Sequence, residues 1–323
     1  MGHLARGVRL VAVQEFRMRL RTGRWRWLLG AWVLVLTLFT VLLDWALVAS
    51  GTQGAVGVPM FGVLMLFVLG LVLVVSPVLT AQSVNGDRER GTLATLQTTR
   101  LTAAQIALGK LLAGWAVGLI ALALTLPFVG WAMVNGGLTA QRVAAVLAIA
   151  ALLMGVVCAI SQALSSLLAR SITSALLSYL TVFALTAGTV IAFGLAAPLV
   201  AERAGVGDYE HTVNRTDRVW WLLAPNPFVI LADSAPHLPP RVVVMDQGQR
   251  VRVEPDDPLS GLGSAVRRVR LPPDGRGGEV TSAPPVWPYG LGFDLLLAAG
   301  AVAVTVRRLR APSGKLPTGV RVG

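Results

Sequence analysis

Reactive and ligating side chains are scarce in this chain of 323 residues: one cysteine, three histidines and 16 carboxylates. Cys158 lies in an apolar run, so there is no disulfide framework and no CxxC pair, and it reads as a small buried hydrophobe. His3, His211 and His237 are scattered, none with a second ligand at helical or knuckle spacing, so no metal site is expected. A phosphate-cradling loop is missing as well. Gly109-Lys110 is followed by Leu111 and lacks the upstream glycine that shapes such a loop, so the chain is not expected to hydrolyse ATP alone. Asp256 and Asp257 are adjacent carboxylates in a proline-rich stretch, with no apolar pocket to divide acid from base roles; they read as solvated. An intramembrane enzyme would need a nucleophile, base or metal cluster, and none is apparent. No catalytic, cofactor-binding or metal-ligating residue is assigned, and the chain is not expected to be an enzyme.

Charge is scarce too. Only 14% of residues are charged and 54% are hydrophobic, with mean hydropathy +0.68. A soluble domain carries about a quarter charged residues, so this chain needs lipid as its solvent. Six stretches approach the roughly 20 residues that a helix needs to cross a hydrocarbon core: Leu28 to Val48, Val58 to Thr80, Ile106 to Val134, Val143 to Leu168, Ile172 to Leu199 and Val286 to Val306. The first is too long for a cleavable signal segment and is read as a retained span. The third, fourth and fifth exceed the required length and should tilt, kink or protrude. Pro77 and Pro127 mark kinks in the second and third.

The net charge of +12 invites a nucleic-acid reading, but its distribution points to membrane orientation. One side of the six spans collects 17 Lys and Arg against three acidic residues; the other holds 11 basic and 13 acidic. By the positive-inside rule both termini are cytoplasmic. The partner implied is membrane lipid, not nucleic acid. Residues 1–27 form a basic segment with apolar positions Leu4, Val8, Val11, Val13, Phe16 and Leu20 at helical spacings. The segment is expected to be an interfacial helix, with Trp25 and Trp27 in the aromatic belt.

Thirteen of the 18 prolines fall between Pro198 and Pro288, so residues 200–285 are expected to form an external module. Within it Val219 to Ile230 is apolar, too short to span, and should lie at or dip into the outer interface. Arg241 to Met245 and Arg250 to Val253 are expected to form a hairpin with its turn at Gly248. The remainder reads as loop, with Arg267, Arg268 and Arg270 on a solvated surface. Two carboxylates fall inside spans. Asp44 is close enough to its helix end to reach water; Asp294 reads as a hydrated or capping group near the outer face, or as a participant in substrate passage or proton movement.

The link at residues 81–105 is the most informative segment. It contains Asp87, Arg88, Glu89, Arg90, Gly91, Thr92, Leu93 and Leu96. Its charges place it in water, Gly91 offers a turn, and Thr102 with Gln105 has the spacing of a capping box that starts a new helix. The string ERGTLATLQTTRLTAAQIALGKLL, Glu89 to Leu112, resembles the cytoplasmic signature of ABC-2-type permeases, membrane subunits of bacterial ATP-binding-cassette exporters. Glu89, Gly91, Thr92, Leu93, Leu96, Ile106, Gly109 and Lys110 match that pattern; Gln97-Thr98-Thr99-Arg100 departs from it.

The resemblance implies an all-α polytopic fold of the plasma membrane: an N-terminal interfacial helix, spans 1–5 in residues 28–199, a small irregular and partly β external module, a sixth span at 286–306 and a cytoplasmic tail at 307–323. It also implies a dimer with a second copy or a related permease, and separate cytoplasmic ATPase subunits that bind ATP and Mg. Glu89 to Leu101, with Asp87, Arg88 and Lys110 alongside, would be the ATPase-coupling element. Substrate would pass along the second and fifth spans, where Ser76, Ser178 and Thr181 add polarity and Asp294 is a further intramembrane candidate. The alternative is an ATP-driven regulator that acts on a cell-envelope partner through the external module without transport.

Overall fold

The computed structural model describes residues 2–21, 23–50, 56–89, 91, 101–204, 211–238, 241–244, 250–253, 257–272 and 283–310. Among them six helices are long and apolar enough to cross a membrane: Trp27–Ala49, Gly57–Glu89, Ala103–Val134, Ala140–Leu167, Ser171–Leu199 and Trp287–Arg310. The chain is therefore a helical, multi-pass membrane protein, and all six expected spans are present. We number them one to six. The end of the bundle near Asn85 is called the basic end. The opposite end, near residues 200–285, is called the connection end.

The second span is the centre of the bundle: 61% of its most apolar stretch is buried, against 17% for the first span and 6% for the fifth. Met60, Phe61, Leu64, Met65, Val68 and Leu69 are fully enclosed, and the fourth span packs along this helix with Val146, Leu153 and Cys158. Cys158 is a buried free thiol, as expected. Small residues permit close approach elsewhere in the bundle. A Cβ on Gly118 of the third span would sit 2.4 Å from the sulfur of Met154.

The breaks in the spans have identifiable causes. Pro77 lies inside the second helix, which continues to Thr80; the Ser76 hydroxyl donates to Val72 O at 2.6 Å and the Thr80 hydroxyl to Ser76 O at 3.0 Å. The third span divides into Ala103–Ala123 and Leu126–Val134, with Pro127 in the first turn of the second piece, where its missing N–H costs nothing. The fifth span carries a π-helical turn at Ala184–Gly188, which no proline explains. π turns leave carbonyls out of register. Here Asn226 supplies the missing donor: its Nδ2 donates to Thr186 O and to Thr189 Oγ1, each at 2.8 Å.

Gly2–Arg21 forms a helix that packs along the third span. Val8 and Val11 are buried there, and a Cβ on Gly109 would come within 2.5 Å of Val11. The expected capping box also forms. Thr102 accepts from Gln105 N at 3.3 Å while Thr102 N donates to Gln105 Oε1 at 2.7 Å.

The connection between the fifth and sixth spans is more ordered than its composition suggests. The expected hairpin exists as Arg241–Val244 paired antiparallel with Arg250–Val253; its turn lies outside the described residues. A second antiparallel pair, Ala201–Ala204 with His211–Asn214, was not expected. Nor was the helix Pro258–Arg270, in a stretch read as loop. Asp257 starts that helix by accepting from Leu259 N at 3.2 Å, and Pro258 occupies its first position. After a 3-10 turn at Thr216–Arg218, the apolar stretch from Val219 contributes a second, Trp220–Leu222, and opens the helix Pro227–Ser234. Ile230, Leu231 and Ala232 are buried against the bundle.

Two charged groups depart from the solvated reading, Asp257 and Arg267, and one physical reason covers them: each finds an opposite charge as it leaves water; Asp256 lies outside the described residues. Asp257 pairs with Arg142 at 2.5 Å, and the Arg142 side chain is wholly enclosed. Arg142 also donates to Pro236 O. Arg267 pairs with Asp233 at 2.5 Å. Arg268 remains exposed, and Asp44 is half-buried.

Candidate functional site

At the basic end the chain leaves the second span through a turn at Ala81–Val84, forms the short helix Asn85–Glu89, and reaches Gly91. Gly91 has φ +70°, a left-handed conformation that favours glycine, so the expected turn is present. Ser165 of the fourth span anchors the helix start: its Oγ accepts from Val84 N at 3.2 Å and from Asn85 N at 3.1 Å. Ser174 of the fifth span donates to Ala81 O at 2.9 Å.

The charges of this link divide into two sets. Arg88 and Glu89 face outward and clasp the junction of the fourth and fifth spans. Arg88 donates to Leu168 O at 3.2 Å, and Glu89 accepts from the Ser171 hydroxyl at 2.5 Å. Asp87 points inward instead. It forms an ion pair with Lys110, which also pairs with Glu15 of the N-terminal helix. The Lys110 side chain is 1% exposed, so the reading of Asp87 as water-facing is corrected: a buried ammonium requires a carboxylate beside it. Glu15 was not singled out from the sequence. It lies 95 residues before Lys110, a separation with no local periodicity to reveal it.

The resulting joint ties three elements together: the N-terminal helix through Glu15, the link through Asp87, and the start of the third span through Lys110. Of the expected coupling residues, Asp87, Arg88, Glu89, Gly91 and Lys110 come together here. Arg90, Thr92, Leu93 and Leu96 lie outside the described residues.

The intramembrane polar candidates do not form one site. Ser76 donates to Val72 O, Ser178 to Ser174 O at 2.8 Å and Thr181 to Leu177 O at 2.8 Å, so each hydroxyl is used on its own helix. Asp294 lies seven residues after Trp287, about 10 Å along the sixth span. It is 1% exposed, and neither carboxylate oxygen has a hydrogen-bond partner among the described residues. Asp294 caps no backbone group among the described residues, so its reading as a capping group is corrected. Packing of the sixth span along the fourth covers it.

A cavity of about 500 Å³ opens at the connection end. Gly188 and Ala192 of the fifth span leave the space, and Trp220, Trp221, Tyr289 and Phe293 wall it. Arg270 lies against this wall, its guanidinium carbon 4.5 Å from the centre of the Trp220 ring and 5.2 Å from that of Tyr289. Sequence reading placed Arg270 on a solvated surface; the aromatic partners come from segments that only folding brings together.

Among the described residues no group of three or more His, Cys, Asp or Glu could hold a metal ion. No protein-family model matches the chain, and no curated protein matches it either.

Proposed function

We propose that this chain is the membrane subunit of an ABC-2-type exporter, pairing with a second permease and driven by separate cytoplasmic ATPases that carry ATP and Mg. The observation that carries the reading is the joint at the basic end. A partner that pushes on exposed Arg88 and Glu89 acts on a short helix pinned to the fourth and fifth spans and, through Asp87 and Lys110, to the third span and the N-terminal helix. The Glu89 to Leu112 signature begins at this helix, so the resemblance and the geometry bear on the same residues.

In this reading the basic end faces the cytoplasm of a bacterial plasma membrane. The N-terminal helix lies in the inner interface: Val8 and Val11 are covered by the third span while Leu4, Leu10 and Met18 stay exposed for lipid. The first and fifth spans, which the bundle scarcely covers, provide apolar faces for a second copy. Substrate passes between the copies along the second and fifth spans.

Access to that path should alternate with the ATPase cycle. With Cys158→Ala as background, Thr181→Cys in the assembled complex should react with a membrane-impermeant maleimide from the cytoplasmic side. When ATP hydrolysis is trapped, that reaction should fall and labelling from the opposite side should rise. Labelling indifferent to nucleotide, in a complex that hydrolyses ATP, would refute the transport reading.

A further inference from the structure

We propose that the cavity between the fifth span and the connection binds a hydrocarbon chain of an anionic bilayer lipid, with its headgroup at Arg270.

The cavity's size falls in the roughly 300–1,000 Å³ range of small-molecule sites, and its lining is almost wholly apolar. Thr189, a hydroxyl that lines it, is already engaged: it donates to Leu185 O at 3.0 Å and Thr186 O at 2.8 Å and accepts from Asn226. A polar ligand would find little to bond with inside. A hydrocarbon chain needs nothing from the walls except contact, and Gly188 and Ala192 leave room for it.

The opening has the opposite character. Arg270 stacks over Trp220 and Tyr289, and its Nη1 donates to Pro284 O at 3.2 Å and Pro285 O at 3.3 Å. Its Nε and Nη2 make no hydrogen bond among the described residues, and no carboxylate there pairs with it. Arg142 and Arg267, by contrast, each hold an aspartate. Among the described residues Arg270 is thus a half-buried cation held in place by two rings, with a guanidinium edge that none of them occupies and that suits a phosphate. Trp and Tyr in this position suit the interfacial depth where headgroup meets chain. An apolar slot beneath a fixed cation is complementary to an anionic amphiphile. The neighbouring Val190, Ile191 and Leu195 of the fifth span are exposed, and the part of that face that a second copy does not cover gives such a molecule its way in from the bilayer.

The full chain in phosphatidylcholine nanodiscs, doped with a phosphatidylglycerol whose acyl chain carries a diazirine, tests this by photolabelling and peptide mapping. Adducts should concentrate on residues 184–192 and 220–225. Unlabelled phosphatidylglycerol should compete where added phosphatidylcholine does not. Arg270→Gln should lower this labelling about tenfold, the equivalent of one lost charge-assisted contact, while Arg270→Lys, which keeps the charge but not the stacked planar fork, should fall between Arg270→Gln and the unaltered chain. Ala192→Phe, which fills the slot, should abolish it. Adducts spread evenly over the exposed faces of all spans would overturn the proposal. So would indifference to the charge at position 270, or a second copy occupying the slot. Selective labelling in a complex whose access never responds to ATP would remove the export reading and leave the lipid site. ATP-driven access without selective labelling would do the reverse.

Discussion

Replacing Lys110 with Met should destabilise the protein by about 3–5 kcal/mol, the cost of breaking a buried ion pair by deleting one partner. The reason is the company Lys110 keeps. Its side chain is 1% exposed and bridges Glu15 and Asp87, which are themselves 14% and 9% exposed. Without the ammonium two carboxylates face each other in a site that excludes most water. Removing all three charges together, as Lys110→Met with Glu15→Gln and Asp87→Asn, should recover most of the loss, because no uncompensated charge remains. Unfolding in mixed micelles followed by circular dichroism measures both. An unchanged midpoint for Lys110→Met would mean that the cluster is solvated in the bilayer-embedded protein.

Asp233→Ala should have an effect of similar size at the opposite end. The carboxylate is fully buried and serves three donors: Arg267 Nε at 2.5 Å, Val286 N at 2.6 Å and Trp287 N at 2.8 Å. It therefore neutralises the arginine of the connection and caps the first turn of the sixth span, where a negative charge also opposes the helix dipole. The substitution leaves Arg267 buried and unpaired, for about 3–5 kcal/mol. Loss of the cap adds about 1 kcal/mol. Limited proteolysis of the connection should accelerate in step with the fall in stability. Asp233→Ala combined with Arg267→Met should recover the arginine part and not the cap. A double variant no better than the single would contradict this division.

The spans were legible because they depend on local quantities, run length and apolarity, and so were the capping box at Thr102 and Gln105 and the strands at Arg241–Val244 and Arg250–Val253. Charge pairing was not. Asp87, Asp257 and Arg267 read as water-facing because their partners, Lys110, Arg142 and Asp233, lie 23, 115 and 34 residues away, where no periodicity connects them. The helix at Pro258–Arg270 did carry a local signal: an aspartate before proline at its start and arginines in its last turn. The proline-rich composition around it outweighed that signal. The π turn at Ala184–Gly188 has no marker in its own residues; its satisfaction by Asn226, some 40 residues on, is a tertiary fact. The candidate joint was thus half visible. The sequence pointed to the link, while the inward ion pairs that make it a mechanical connection emerge only on folding.

The central claim is that force enters through the exposed face of this link, and one measurement addresses it most directly. The chain carrying Glu89→Ala and Arg90→Ala is reconstituted with its ATP-binding-cassette partner, and ATP-driven activity is compared with that of the unaltered complex. Glu89 lies at the exposed end of the short helix, away from the buried Lys110 cluster, so the unfolding midpoint should shift by no more than the equivalent of about 1 kcal/mol, from its exposed bond to Ser171. The account predicts a folded chain that either loses its ATPase or hydrolyses ATP without driving transport. Full ATP-driven activity in that variant would contradict it.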